Sequence, residues 1–124
     1  MFQATAKNTL PTMTEEHMAL MKVMRFHTGK AKAIISKDLR WEIVQTSQRH
    51  MSARQIRELK FELNTYFGAY ICSCGDGYYL AATDEEVNEV RAYYLSWIKN
   101  MSREAKRIKL NFIENSKRTQ LRLF

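Results

Sequence analysis

Apolar residues recur every three or four positions in four stretches of the chain, and one intervening stretch switches to the two-residue period of strands. The first helical stretch opens at Thr14, a capping residue followed by Glu15 and Glu16, which suit the positive end of a helix. Met18, Met21, Val23, Met24 and Phe26 then supply its buried side, and the element is expected to end near Thr28-Gly29. The basic connector Lys30-Ala31-Lys32 leads to the short apolar pair Ile34-Ile35. Ser36 offers the cap of a second helix whose Leu39, Ile43 and Val44 face inward, with Trp41 at an edge. Gln45-Thr46-Ser47-Gln48 reads as a polar connector of helix-turn-helix length. Ser52 and Gln55 make a capping box for a third helix, and Ile56, Leu59 and Leu63 mark its buried face.

Gly68 breaks the helical run, and Tyr70-Ile71-Cys72 has the β-branched and aromatic content of a strand. Gly75-Asp76-Gly77 turns the chain and Tyr78-Tyr79-Leu80 returns it, so Tyr78 and Tyr79 point to opposite sides of a hairpin. Thr83-Asp84-Glu85-Glu86 is a second capping box, after which neither proline nor glycine occurs to the end of the chain. A helix over 84 to 115 would run about 48 Å at 1.5 Å per residue. Val87, Val90, Tyr94, Trp97, Met101 and Ile108 lie along one stripe of it, with Ala105 keeping the stripe roughly continuous. A domain of about 70 residues cannot cover that length, so the distal part must project, bend back or meet another chain. A homodimer through this stripe is the leading expectation. The expected fold is mainly α with a small β-hairpin, an α+β class. Its parts are an N-terminal tail at 1 to 13, a domain at 14 to 82, a long helix at 83 to 116 that serves as a dimerisation element, and a basic tail at 117 to 124.

The formal net charge of +7 is unevenly placed. Residues 22 to 42 hold six Lys or Arg against two acids, and residues 99 to 124 hold eight against two, with Asp84, Glu85, Glu86 and Glu89 between them. Two basic zones fit a polyanionic partner such as nucleic acid; solubilising charge on exposed helix faces is the plainer alternative. Cys72 and Cys74 stand two apart on a strand, where a bridge would be strained, so reduced thiols are expected. His17, His27 and His50 lack metal-type spacing, and no metal is expected. No apolar run approaches the length that spans a bilayer, and the N-terminal residues lack the apolar core of a secretory signal; a cytoplasmic protein is expected, with no membrane partner.

Ile35-Ser36-x-x-Leu39, then Ser52-x-Arg54-Gln55-Ile56-Arg57-x-Leu59-x-x-x-Leu63, then Gly68-x-Tyr70-Ile71, taken as an ordered set, resembles the winged helix-turn-helix superfamily. Ser52 to Leu63 with Ile71-Cys72-Ser73 and Gly77-Tyr78-Tyr79-Leu80-Ala81, followed by an acid-capped helix, is more narrowly similar to small winged-helix proteins encoded by bacteriophages and prophages. The resemblance spans about residues 16 to 100 and implies a DNA-binding role for the helix at 52 to 64. The residues read the same way chemically. Arg54 and Arg57 can reach guanine edges or phosphates, Gln55 can pair with adenine, and the Ser52 hydroxyl suits a phosphate. Lys32, Lys37, Arg40 and Arg49 flank the helix as candidate backbone contacts. The competing reading pairs Arg54 and Arg57 with Glu58 and Glu62 on a solvated face. Unlike wings that enter the minor groove, residues 70 to 81 carry no Lys or Arg and include Asp76.

No nucleophile elbow, metal-ligand set, cofactor fingerprint or spaced carboxylate pair points to an enzyme, a cofactor or a small-molecule substrate. The expected function is that of a phage-type protein binding double-stranded DNA, a transcription regulator or replication accessory. The alternative is a winged-helix module that binds a host protein and inhibits a host nucleoprotein machine, favoured by the acid-bearing hairpin and by Tyr93, Tyr94 and Trp97.

Overall fold

The computed structural model describes residues 12 to 122, with side chains through residue 118. Among these residues, four α-helices and one antiparallel hairpin of two strands form a mainly helical α+β structure. In chain order these are α1 (Glu15–Met24), a 3-10 turn (Lys30–Lys32), α2 (Ser36–Ser47), α3 (Ala53–Tyr66), β1 (Ile71–Cys74), β2 (Gly77–Leu80) and α4 (Asp84–Arg122). The chain divides after Val87 into two compact units. Apart from Thr12 and Met13, the expected N-terminal tail lies outside the described residues.

In the first unit α1, α2, α3 and the hairpin enclose one core of Leu20, Val23, Met24, Leu39, Ile43, Ile56, Leu63 and Ile71, with Met51 closing it between α2 and α3. Two of the five side chains assigned to the buried face of α1 do not belong there. The buried arc runs through His17, Leu20 and Met24, and Met18, two residues back from Leu20, falls on the far side of the helix. The helix also stops at Met24. Phe26 N–H and His27 N–H donate to carbonyls three residues back, and this tightening swings Phe26 out to 70% exposure. The expected end near Thr28 is therefore about a turn too late.

The second helix differs from expectation at both ends. Its N-cap is Ile35, held extended because Ile34 is already hydrogen-bonded to Tyr78, so Ser36 becomes the first helical residue and its hydroxyl, though buried, caps nothing. At the other end Gln45, Thr46 and Ser47 stay helical, and the break comes at Gln48, in the left-handed region with φ 55°. Gln48 N–H closes the helix by donating to Val44 O.

The hairpin register pairs Ile71 with Leu80, Cys72 with Tyr79, Ser73 with Tyr78 and Cys74 with Gly77. Tyr79 is fully buried and Tyr78 half-buried, as the alternation of strand side chains requires. The outer edge of β2 is not bare. Ile34 exchanges two backbone hydrogen bonds with Tyr78, at 2.8 and 2.9 Å, and Leu80 bonds His27 O and Gly29 N–H. Gly77 permits this approach: a Cβ there would stand 2.1 Å from Ile34 O, and its φ of +118° also favours glycine. The far edge of β1 is fastened by Asn64, whose side-chain amide exchanges two hydrogen bonds with the backbone of Ile71, both 2.9 Å.

The fourth helix runs 39 residues, about 58 Å at 1.5 Å per residue. It passes the expected boundary at 116, so the basic tail is helical to Arg122, in keeping with the absence of glycine and proline. No described helix is long and apolar enough to cross a membrane.

Candidate nucleic-acid interface

The candidate surface is built around the first turns of α3. Ser52 Oγ accepts from Gln55 N–H (3.1 Å) and Gln55 Oε1 accepts from Ser52 N–H (2.8 Å), which completes the capping box. The two side chains expected to offer a hydroxyl and an amide to DNA are thus already employed in starting the helix, although the second amide face of Gln55 stays exposed. The buried side of α3 is fixed by Ile56 and Leu63, so Arg54, Arg57, Glu58 and Phe61 are turned outward. Arg54 pairs with Glu58 at 3.2 Å, one turn on, in a solvated geometry that contributes little. Arg57 makes no ion pair among the described residues, and the Glu62 carboxylate is bonded to His17. Arg54, Arg57, Glu58, Phe61 and Glu62 line one shallow cleft along the helix.

The flanking cations are distributed unequally. Arg49, between α2 and α3, is tied to Glu15 and, at 3.1 Å, to Glu16 at the start of α1, so it fastens the connector to the first helix instead of standing free. Arg40 donates through Nε to Ser36 O at 3.3 Å within α2. Lys37 and Lys32 are exposed and pair with no described carboxylate. Lys60, one turn from Arg57 and on the hairpin side of α3, donates to Ser73 Oγ at 3.1 Å and stands 5.9 Å from the centre of the Tyr78 ring. The cation missing from the hairpin sequence therefore reaches it from the helix.

His17 has the most structural consequence of the residues that sequence reasoning passed over. Its Nδ1 accepts from Thr14 N–H at 2.9 Å, which leaves the proton on Nε2, donated to Glu62 at 2.7 Å. One buried ring therefore caps α1 and ties it to α3. Thr-x-x-His lacks the Glu or Gln of an ordinary capping box, so pattern alone passes over it. Glu86 performs a comparable task at the start of α4. Thr83 caps Glu86 N–H as expected, but the Glu86 carboxylate reaches past the cap residue to Ala82 N–H (2.7 Å) and Lys30 N–H (2.8 Å). Those backbone donors hold its carboxyl below the ordinary glutamate range.

Both cysteines are free thiols, and burial pushes the Cys72 thiol up, which makes it a poor nucleophile. No group of three His, Cys, Asp or Glu among the described residues is placed to hold a metal ion. A second surface lies at the end of α1 and along α2, where exposed Phe26, Ile35 and Trp41 border an open groove of about 660 Å³. His27 crosses its edge, donating through Nδ1 to Lys32 O (2.9 Å) with Nε2 3.2 Å from Glu42.

Along α4, Val87, Tyr94, Trp97, Met101 and Ile108 are exposed and Val90 is half-buried. Lys99, Arg103, Lys106 and Arg107 follow one another at spacings of four, three and one on the opposite side of that helix. No protein-family model, curated protein or solved structure matches the chain.

Proposed function

We propose that this chain is a non-enzymatic, phage-type DNA-binding protein with a winged helix-turn-helix domain, acting as a transcription regulator or replication accessory that reads duplex DNA with α3. The observation that carries the reading is the outward row on α3, where Arg57 stands unpaired among described residues beside Arg54, whose one ion pair is solvated. Three features support the domain assignment: a short connector of five residues, Gln48 to Ser52, between α2 and α3, a hairpin directly after α3, and the bridge from Ile34 that gives the hairpin a third backbone edge. Arg54 and Arg57 are the base-edge or phosphate contacts, Lys32 and Lys37 the flanking phosphate contacts, and the basic face of α4 adds sequence-independent attraction. Arg49, Ser52 and Gln55 act through the position they give to α3. The test is fluorescence anisotropy of a labelled duplex at low salt. Binding that weakens when Arg54 and Arg57 are replaced by alanine is expected, and no affinity for any duplex overturns the proposal.

A protein-interaction role in inhibiting a host nucleoprotein machine is the second reading. Exposed Phe26, Ile35 and Trp41 around one groove, with Phe61 exposed on α3 itself, favour it, since clustered apolar surface marks protein contacts more than phosphate contacts. A bacterial partner retained after nuclease treatment and lost on Trp41→Ala supports this reading over the first.

A further inference from the structure

The apolar stripe of α4 has a symmetry that the DNA-binding proposal does not use. Counting outward from Met101, apolar side chains stand four, seven and eleven residues away in both directions. They are Trp97, Tyr94 and Val90 toward the N-terminus and Ala105, Ile108 and Phe112 toward the C-terminus. Because α4 is one uninterrupted helix through these positions, all seven lie on one face, and all but the half-buried Val90 are exposed. We propose that this face packs antiparallel against the same face of a second copy, with the two-fold axis at Met101.

In that register Trp97 meets Ala105 of the second copy, Tyr94 meets Ile108 and Val90 meets Phe112, while the two Met101 side chains share the centre. The largest side chain of the stripe faces the smallest, and every other layer joins side chains whose combined bulk is similar. A parallel pair instead sets Trp97 against Trp97 and, two turns on, Ala105 against Ala105, an overfilled layer followed by an empty one. Parallel pairing would bring Glu104 near Lys109 at the seam edge, and antiparallel pairing sets Arg91 near Lys109. Both are solvated edge interactions, which count for less than the fit of the core layers. The antiparallel arrangement also sets the two helix dipoles in opposite directions, with Asp84 level with Arg118 of the second copy. The two steps of four that meet at Met101 depart from a strict seven-residue repeat, so the supercoil unwinds at the centre of the seam. From Val90 to Phe112 the seam is about 33 Å long at 1.5 Å per residue.

The pairing is independent of DNA binding and is tested without DNA. Tyr94→Cys and Ile108→Cys are made separately in the full chain, oxidised alone and as a mixture, and the disulfide-linked tryptic peptides are identified by mass spectrometry, so that Cys72 and Cys74 stay unchanged. A 94-to-108 link that forms only in the mixture is expected, since like positions stand about 21 Å apart along the seam, beyond disulfide reach. Links of each variant to itself overturn the antiparallel register. Sedimentation equilibrium of the unsubstituted chain is the second readout: twice the monomer mass of 14.7 kDa is expected, and a monomer at every concentration loaded overturns the proposal.

Discussion

In the first unit Leu20, Leu39, Ile43, Ile56 and Leu63 are at or within 1% of complete burial, whereas α4 exposes Trp97, Ile98, Met101, Ile108 and Phe112 by more than half. The spacing of apolar residues is similar in the two regions. What differs is long-range: α1, α2, α3 and the hairpin cover one another, while the stripe of α4 is matched in size and order to itself. Periodicity thus specifies that a face exists, and only the surroundings specify what covers it. The first unit has a closed core, with Phe26, Trp41 and Phe61 left outside it, whereas the apolar stripe of α4 is left largely exposed.

The sharpest way to break this contrast is to shorten one side chain in each region. Leu39→Ala opens a cavity in a fully buried site and should cost about 2–5 kcal/mol of stability in denaturant unfolding followed by near-UV circular dichroism. Ile108→Ala should leave that transition within about 0.5 kcal/mol and instead lower the mass in sedimentation. Equal effects of the two on the same transition would dissolve the distinction. Next in size is Gly77→Ala, which forces a Cβ into Ile34 O at a left-handed backbone position and should destabilise the first unit by on the order of 3 kcal/mol. The two serines at helix starts give a smaller contrast. Ser52→Ala should cost about 1 kcal/mol through the lost cap, whereas Ser36→Ala removes a buried hydroxyl that caps nothing and should be neutral or slightly stabilising in the same unfolding assay.

The smallest effect is one of pH. The folded Glu86 carboxyl titrates below the ordinary glutamate range, so its contribution is complete above the unfolded value and fades as pH falls through the folded one. Glu86→Gln should therefore be less stable than the parent at neutral pH, and the gap should close in acid. A constant gap across the acid range would mean that the Lys30 and Ala82 contacts do not depend on the carboxylate.

Local chemistry was readable where it acts within a few residues. The Ser52–Gln55 box, the Gly75-Asp76-Gly77 turn and the continuity of α4 follow from sequence spacing and the absence of breakers. What was not readable depends on contacts far apart in the chain. Ile34 bonding Tyr78 moves the start of α2, Arg49 is taken up by Glu15 and Glu16, and Glu62 is drawn to His17 and away from Arg57. Of the eight candidate DNA contacts, Arg54, Arg57, Lys32 and Lys37 keep exposed charge; Arg40 bonds the backbone of its own helix, and Arg49, Ser52 and Gln55 are engaged in holding α1, α2 and α3 in place.

DNA contact by the outward arginines of α3 is the proposed source of affinity. Its most direct test is the dependence of duplex affinity on salt concentration for the parent chain and for the Arg54→Ala, Arg57→Ala double variant. Each phosphate contact contributes about 0.9 to the slope of log affinity against log salt, so loss of two should flatten the slope by roughly 2. An unchanged slope and affinity in a variant that still folds would contradict the account and move the binding site away from α3.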